Sequence, residues 1–155
     1  MWLLVCAYLY AMHQEVVTFH IADTKITLRN RTALKLFLAK LCKREGRRIE
    51  SLQYIFCSDD YLLPINQQFL QHDEYTDIIT FDLSPSKDAP IHGEIYISVD
   101  RVRDNAQSFQ TTINRELHRV IFHGALHLCG YKDKSKADQT KMRYMEDLYL
   151  KRYGL

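Results

Sequence analysis

A helix that carries histidines at i and i+4, stops at a glycine and is followed by an aspartate leaves few arrangements open. His123, His127, Gly130 and Asp133 spell that pattern, H-x-x-x-H-x-x-G-x-x-D, at the end of a helical run from Thr112 to Leu128. Helical residues at this spacing are rotated by roughly 40° and separated by a rise of about 6 Å, so both imidazoles leave one face. From there two side chains can reach one metal ion at about 2.0–2.1 Å each. Gly130 suits the left-handed position that ends a helix, and Asp133 can meet the histidines from the side. The expectation is a three-ligand metal site with one position open to water. The competing reading, histidines complementing a helix C-terminus, covers His127 but not His123 or the Gly-x-x-Asp that follows. His118 lies roughly 140° from His123 and Cys129 roughly 200° from His127, so both point elsewhere.

The chain has 155 residues, enough for one domain with a proper core. A formal net charge of +2 does not mark a general nucleic-acid binder, so positive charge toward RNA has to be local. Cys6, Cys42, Cys57 and Cys129 form no C-x-x-C pair, which points to reduced thiols and a reducing compartment. Met1 to Met12 is apolar and uncharged, too short to span a bilayer and without the basic start of a signal peptide. Residues 1–11 read either as an upstream false start or as a short segment packed on the fold, with the domain proper at 12–155.

Val16 to Ile21 alternates and is β-branched, a strand with a short continuation at Lys25 to Leu28. Asn30 suits an N-cap for a helix burying Leu34, Phe37, Leu38 and Leu41 and ending at Gly46. Lys43, Arg44, Arg47 and Arg48 fit either phosphate or, as favoured here, the dipole of their own helix end. Leu52 to Cys57 is a second strand, and Ser58 opens a helix that Pro64 should weaken or confine to one turn. Thr76 to Asp82 and Gly93 to Ser98 are further strands, and His92 reads as a surface residue. Asp100 to Phe109, the histidine-bearing segment and Ser135 to Arg152 are helices, the last with a Ser135–Asp138 capping box and a buried stripe of Met142, Met145, Leu148 and Tyr149. The fold class is α/β: a small mixed four-stranded sheet packed with about five helices, the metal site ending a helix in the C-terminal half.

A zinc ion on two imidazoles and a carboxylate leaves a position for water, which it acidifies toward neutral pH. The H-E-x-x-H metalloprotease pattern is broken, because Gly124 stands where the glutamate base would be. A glycine in mid-helix costs roughly 1 kcal/mol against alanine. It either clears space for a bulky substrate or allows close packing on the sheet.

His123-Gly124-x-Leu126-His127-Leu128-x-Gly130-Tyr131 resembles the signature of the YbeY family of bacterial metal-dependent endoribonucleases. Ile65-Asn66 with His72-Asp73 and Tyr75 to Phe81 is similar to that family's L-N…(K/H)-D-x-x-T-D-V-L-S-F segment, and Gly93-Glu94-Ile95-x-Ile97-Ser98 to its G-D-I-x-I-S strand. The resemblance runs from about Val16 to the C-terminus. It implies a cytoplasmic enzyme acting on single-stranded RNA, with ribosomal RNA and the ribosome as partners in RNA maturation and quality control, and neither membrane nor DNA. It also implies one zinc ion on His123, His127 and the residue at 133.

Two departures bear on the chemistry. The family's third ligand is histidine, and here Asp133 adds a negative charge, acidifies bound water less and favours Fe²⁺, Mn²⁺ or Ni²⁺ as competitors of zinc. The family's arginine before the (K/H)-D segment, a candidate for holding phosphate, is replaced by Leu70, so either Lys132, Lys134 or His72 serves or phosphate binding is weaker. The catalytic group is then metal-bound water, assisted by His72 or Lys132. Thr76 and Asp77 are candidates to steady a ligand histidine, Asp77 by accepting from its far nitrogen. The rival function is a ribosome-associated assembly factor whose metal is mainly structural, and hydrolysis of peptides or other small substrates is a third.

Overall fold

The computed structural model describes residues 16–71 and 73–155. The apolar stretch 1–11 and His72 lie outside the described residues.

Strands β1 (Val17–Ile21), β2 (Ile49–Cys57), β3 (Ile78–Asp82) and β4 (Ile91–Ser98) form one sheet in the order β1-β2-β4-β3. β1, β2 and β4 run parallel, and β3 is antiparallel to β4 at the edge, so the sheet is mixed as expected. Among the described residues five helices accompany it: α1 (Arg31–Arg44), α2 (Asp59–Leu70), α3 (Val99–Ser108), α4 (Ile113–Leu128) and α5 (Lys136–Tyr153).

The sheet register explains how the two faces divide. Leu52, Tyr54 and Phe56 of β2 lie beside Gly93, Ile95 and Ile97 of β4, and Ile78 and Thr80 of β3 continue the row. Successive strand residues face opposite sides, so this row forms one face. It packs with Leu34, Leu38 and Leu41 of α1, with Val120, Ile121 and Phe122 of α4, and with Met142 and Tyr149 of α5. The opposite face carries Cys57 and Ile79 and is covered by Leu62 of α2.

Several local expectations change in the folded chain. Residues 25–28 are not a strand. Asn30 occupies the N-cap of α1, but with φ 52° and no side-chain capping bond. α2 continues through Pro64 for twelve residues. The carbonyl that the missing N–H leaves free belongs to Asp60, on the exposed side of the helix where water can take it. Thr76 and Asp77 precede β3 rather than belong to it.

α4 lies very close to the sheet, and two glycines permit it. A Cβ on Gly124 would stand 2.9 Å from the Ile78 and Ile95 Cδ1 atoms, and one on Gly93 would stand 2.8 Å from Leu128 Cδ1. Gly124 therefore serves close packing, not substrate clearance. The Tyr54 hydroxyl adds a buried bond to the Ile121 carbonyl at 2.9 Å. This contact sets where the last turns of α4, and both histidines, stand beside β3.

Candidate metal centre

α4 is capped at its start by the Thr112 hydroxyl, which accepts from Arg115 N at 3.1 Å. At its end Gly130 takes φ +99°, a left-handed conformation that costs a Cβ-bearing residue about 1–2 kcal/mol. The turn brings the Tyr131 carbonyl back over the helix, where His127 Nδ1 donates to it at 2.9 Å. Tyr131 is held at its other end as well, its hydroxyl donating to Glu45 Oε2 at 2.8 Å. Tyr149 donates to the other Glu45 oxygen. Burial, reinforced by the bond to Glu45, pushes the Tyr131 hydroxyl up to about 12.

The remaining ring nitrogens converge. His123 Nε2 and His127 Nε2 are 2.9 Å apart, and Asp133 Oδ2 lies 3.5 Å from the first and 3.3 Å from the second. Three ligands at about 2.0–2.1 Å from a tetrahedral ion would be separated by about 3.3 Å. The chemistry agrees with the geometry. The Tyr131 carbonyl can only accept, so His127 carries its proton on Nδ1; His123 Nδ1 faces Glu146 Oε1 at 2.5 Å and donates likewise. Both Nε2 atoms then present lone pairs to each other and to a carboxylate, which is a donor set for a cation. Burial, followed by the neighbouring His123, lowers the His127 pKa, while Asp133 opposes the shift.

Behind His123 lies a charged cluster that sequence spacing did not reveal. Arg119 meets Glu116 at 2.7 Å, Glu146 at 3.1 Å and Asp77 at 3.5 Å. Burial works to raise the Glu146 carboxyl, but the His123 hydrogen bond and the Arg119 charge outweigh it and hold the pKa below the ordinary range. Burial works to lower Arg119, and its carboxylate partners reverse that. One arginine among three carboxylates leaves negative charge next to the ligands, which suits a divalent ion. The legible signal was position. With Met142, Tyr149 and Leu150 buried, Glu146 falls in phase with the core stripe of α5 and is itself 4 % exposed, and a carboxylate there needs partners.

A cavity of about 610 Å³ opens on the three converging side chains. Leu70, Thr76, Asp77 and Lys134 line it together with His123, His127 and Asp133. Asp77 is turned to Arg119, and the Thr76 hydroxyl donates to the Ile78 carbonyl at 3.2 Å. Lys132 lines a separate groove with Glu45, Tyr131 and Lys141. Of the two lysines flanking Asp133, Lys134 is therefore the one that lines the cavity with His123 and His127. His118 and Cys129 point away, as their angles require: His118 Nδ1 bonds the Asn114 carbonyl at 2.7 Å, and Cys129 packs on the core.

The family described as Endoribonuclease YbeY matches residues 13–154. The chain is 50 % identical over 139 residues to the protein named Endoribonuclease YbeY from Cytophaga hutchinsonii, covering 90 % of this chain and 96 % of that one. It is 48 % identical over 124 residues to the protein of the same name from Flavobacterium psychrophilum, covering 80 % and 87 %. A solution structure of a Thermotoga maritima protein shares the fold at a TM-score of 0.59 with 29 % identity, covering 88 % of each chain. With its family match and these relatives, the chain belongs to the family described as Endoribonuclease YbeY.

Proposed function

We propose that this protein is a metal-dependent endoribonuclease that cuts single-stranded RNA, with ribosomal RNA as its substrate, and that it holds one zinc ion on His123, His127 and Asp133. The observation that carries the reading is the pair of Nε2 lone pairs turned on one point beside the Asp133 carboxylate. The names of the relatives support RNA as the substrate. When bound, the ion supplies Lewis acidity toward a phosphate oxygen and acidifies water. The chain's own groups do the rest. Tyr131 and Glu146 keep the imidazole protons on Nδ1, Asp133 presents an oxygen, and Lys134 offers the cavity a cation for the phosphodiester that Leu70 cannot hold. The free thiols of Cys42, Cys57 and Cys129 fit a cytoplasmic, reducing setting.

The alternative, an assembly factor with a mainly structural metal, has less support from the packing. The core between sheet and helices closes on apolar residues without the three ligands. The test compares wild type with His127→Ala on a single-stranded RNA in the presence of zinc. The expected result is stoichiometric zinc and cleavage in the wild type, both lost in the variant. Cleavage by metal-free variant protein would overturn the reading. Chelator should stop cleavage and leave the circular dichroism spectrum native; unfolding on metal removal would instead favour the structural role.

A further inference from the structure

Glu146 and Arg119 belong to none of the three motifs, yet they stand directly behind one ligand. Glu146 is buried on α5, and both of its oxygens are used: Oε1 accepts from His123 Nδ1 at 2.5 Å, and Oε2 accepts from Arg119 Nη1 at 3.1 Å. Arg119 is itself fixed. Its Nε and Nη2 donate to the two oxygens of Glu116 at 2.9 and 2.7 Å, from one turn earlier on α4. A bidentate fork of this kind sets the guanidinium plane, so the remaining nitrogen reaches α5 in one direction only.

We infer that Arg119 and Glu146 are positioning residues: Arg119 clamps the Glu146 carboxylate, which holds His123 with its proton on Nδ1 and its Nε2 directed at His127 and Asp133. The inference rests on His123 being a metal ligand. The two histidines are thus held by different devices. His127 depends on a backbone carbonyl supplied by the local turn at Gly130, and His123 on a side chain supplied by the packing of α5 against α4. A carboxylate bonded to His123 alone could rotate about its last torsion. Held through both oxygens, it fixes the ring plane and the tautomer together. Outer partners of this kind typically change metal affinity by about 10- to 100-fold when removed.

Loss of a purely structural ion pair between α4 and α5 would lower stability and nothing else, so the test reads the ring itself. Long-range ¹H–¹⁵N correlations of the imidazoles, in metal-free protein above the imidazole titration range, report the tautomer of each histidine. Zinc affinity is measured alongside by competition with a chromophoric chelator. Wild type should show His123 as the Nδ1–H form. Glu146→Leu should move His123 toward the Nε2–H form, leave His127 unchanged and weaken zinc binding about 10- to 100-fold. Glu146→Gln offers one acceptor oxygen to two donors, His123 Nδ1 and Arg119 Nη1, so it should weaken zinc binding to a degree between wild type and Glu146→Leu. Arg119→Met should weaken zinc binding several-fold alone and add nothing to Glu146→Leu.

A folded Glu146→Leu protein with the wild-type tautomer and wild-type zinc affinity would overturn the inference. Should that variant fail to fold, Arg119→Met decides: unchanged affinity and an unchanged His123 signal would overturn the clamp. A wild type that takes up no zinc would overturn the three-ligand site and the inference with it, whereas a zinc-binding wild type whose affinity and His123 tautomer Glu146→Leu leaves unchanged would overturn the inference alone.

Discussion

Arg47 donates through Nη1 to the carbonyl oxygen of Leu128 at 3.0 Å, joining the chain just after α1 to the last residue of α4. Its Nη2 donates to the Ala89 carbonyl at 2.9 Å. The terminal carbonyls of a helix lack partners within it and carry partial negative charge. Arg47 therefore complements a helix end, but that of α4 rather than of its own helix.

Replacing Arg47 by Met should remove this tie and leave the Leu128 carbonyl without it. The expected loss is about 1.5–3 kcal/mol, the range for hydrogen bonds to charged groups. Urea unfolding at equilibrium measures it, and an unchanged midpoint would show that the bond contributes nothing in solution.

In the proposed three-ligand site, Asp133 sets the character of the metal. Elemental analysis of Asp133→Ala should show metal lost or much reduced against a stoichiometric wild type. Asp133→His should retain metal and discriminate more strongly for zinc over Mn²⁺, because imidazole is a softer ligand than carboxylate. Equal competition by Mn²⁺ in wild type and Asp133→His would contradict the assignment of this residue as a ligand.

Gly124 and Gly130 should fail in different ways. Gly124→Val meets Ile78 and Ile95, so it should push α4 off the sheet and cost about 1–3 kcal/mol or more by overpacking. A Cβ on Gly130 meets nothing within 4 Å. Gly130→Ala should therefore cost only the left-handed strain, about 1–2 kcal/mol, while moving the Tyr131 carbonyl and weakening zinc binding. Unfolding midpoints together with zinc competition separate the two. Identical profiles for both variants would refute the distinction.

Acid should destabilise the metal-free protein through buried His118 and partly buried His127. Burial lowers the pKa of His118 below its ordinary 6.5, against the opposing bond to the Asn114 carbonyl. The unfolded chain therefore binds this proton more readily than the folded one. The stability that follows is complete above about pH 6.5 and is lost as pH falls through the folded value. His127 acts in the same direction. Urea midpoints at pH 7.5 and 5.5 should differ less for His118→Phe than for wild type, and an equal difference would remove His118 as a cause.

How far the chain could be read depended on the range of each interaction. The ends of α4 were readable because Thr112, Gly130 and the spacing of His123 and His127 act within a few residues of each other. The halves of the sheet were readable from alternation, but the edges of the elements were less so. Pro64 signals a break by local rules, yet α2 buries Leu62 against Cys57 and Ile79 and continues. Gly124 had two local explanations, and only the position of Ile78 and Ile95 chose between them.

The sequence by itself determined the helix-borne histidine pair, the turn that follows it, the third ligand candidate and the mixed α/β architecture, since each is encoded in periodicity or in contiguous residues. The tertiary structure alone decided what stands behind the candidate ligands: Glu146 on His123, Arg119 on Glu146, and Asp77 on Arg119 rather than on a histidine. The physical reason is that a buried charge must be paired in space. Which of the chain's carboxylates and cations meet is set by how α4 packs on β3 and α5, across separations that no local pattern records.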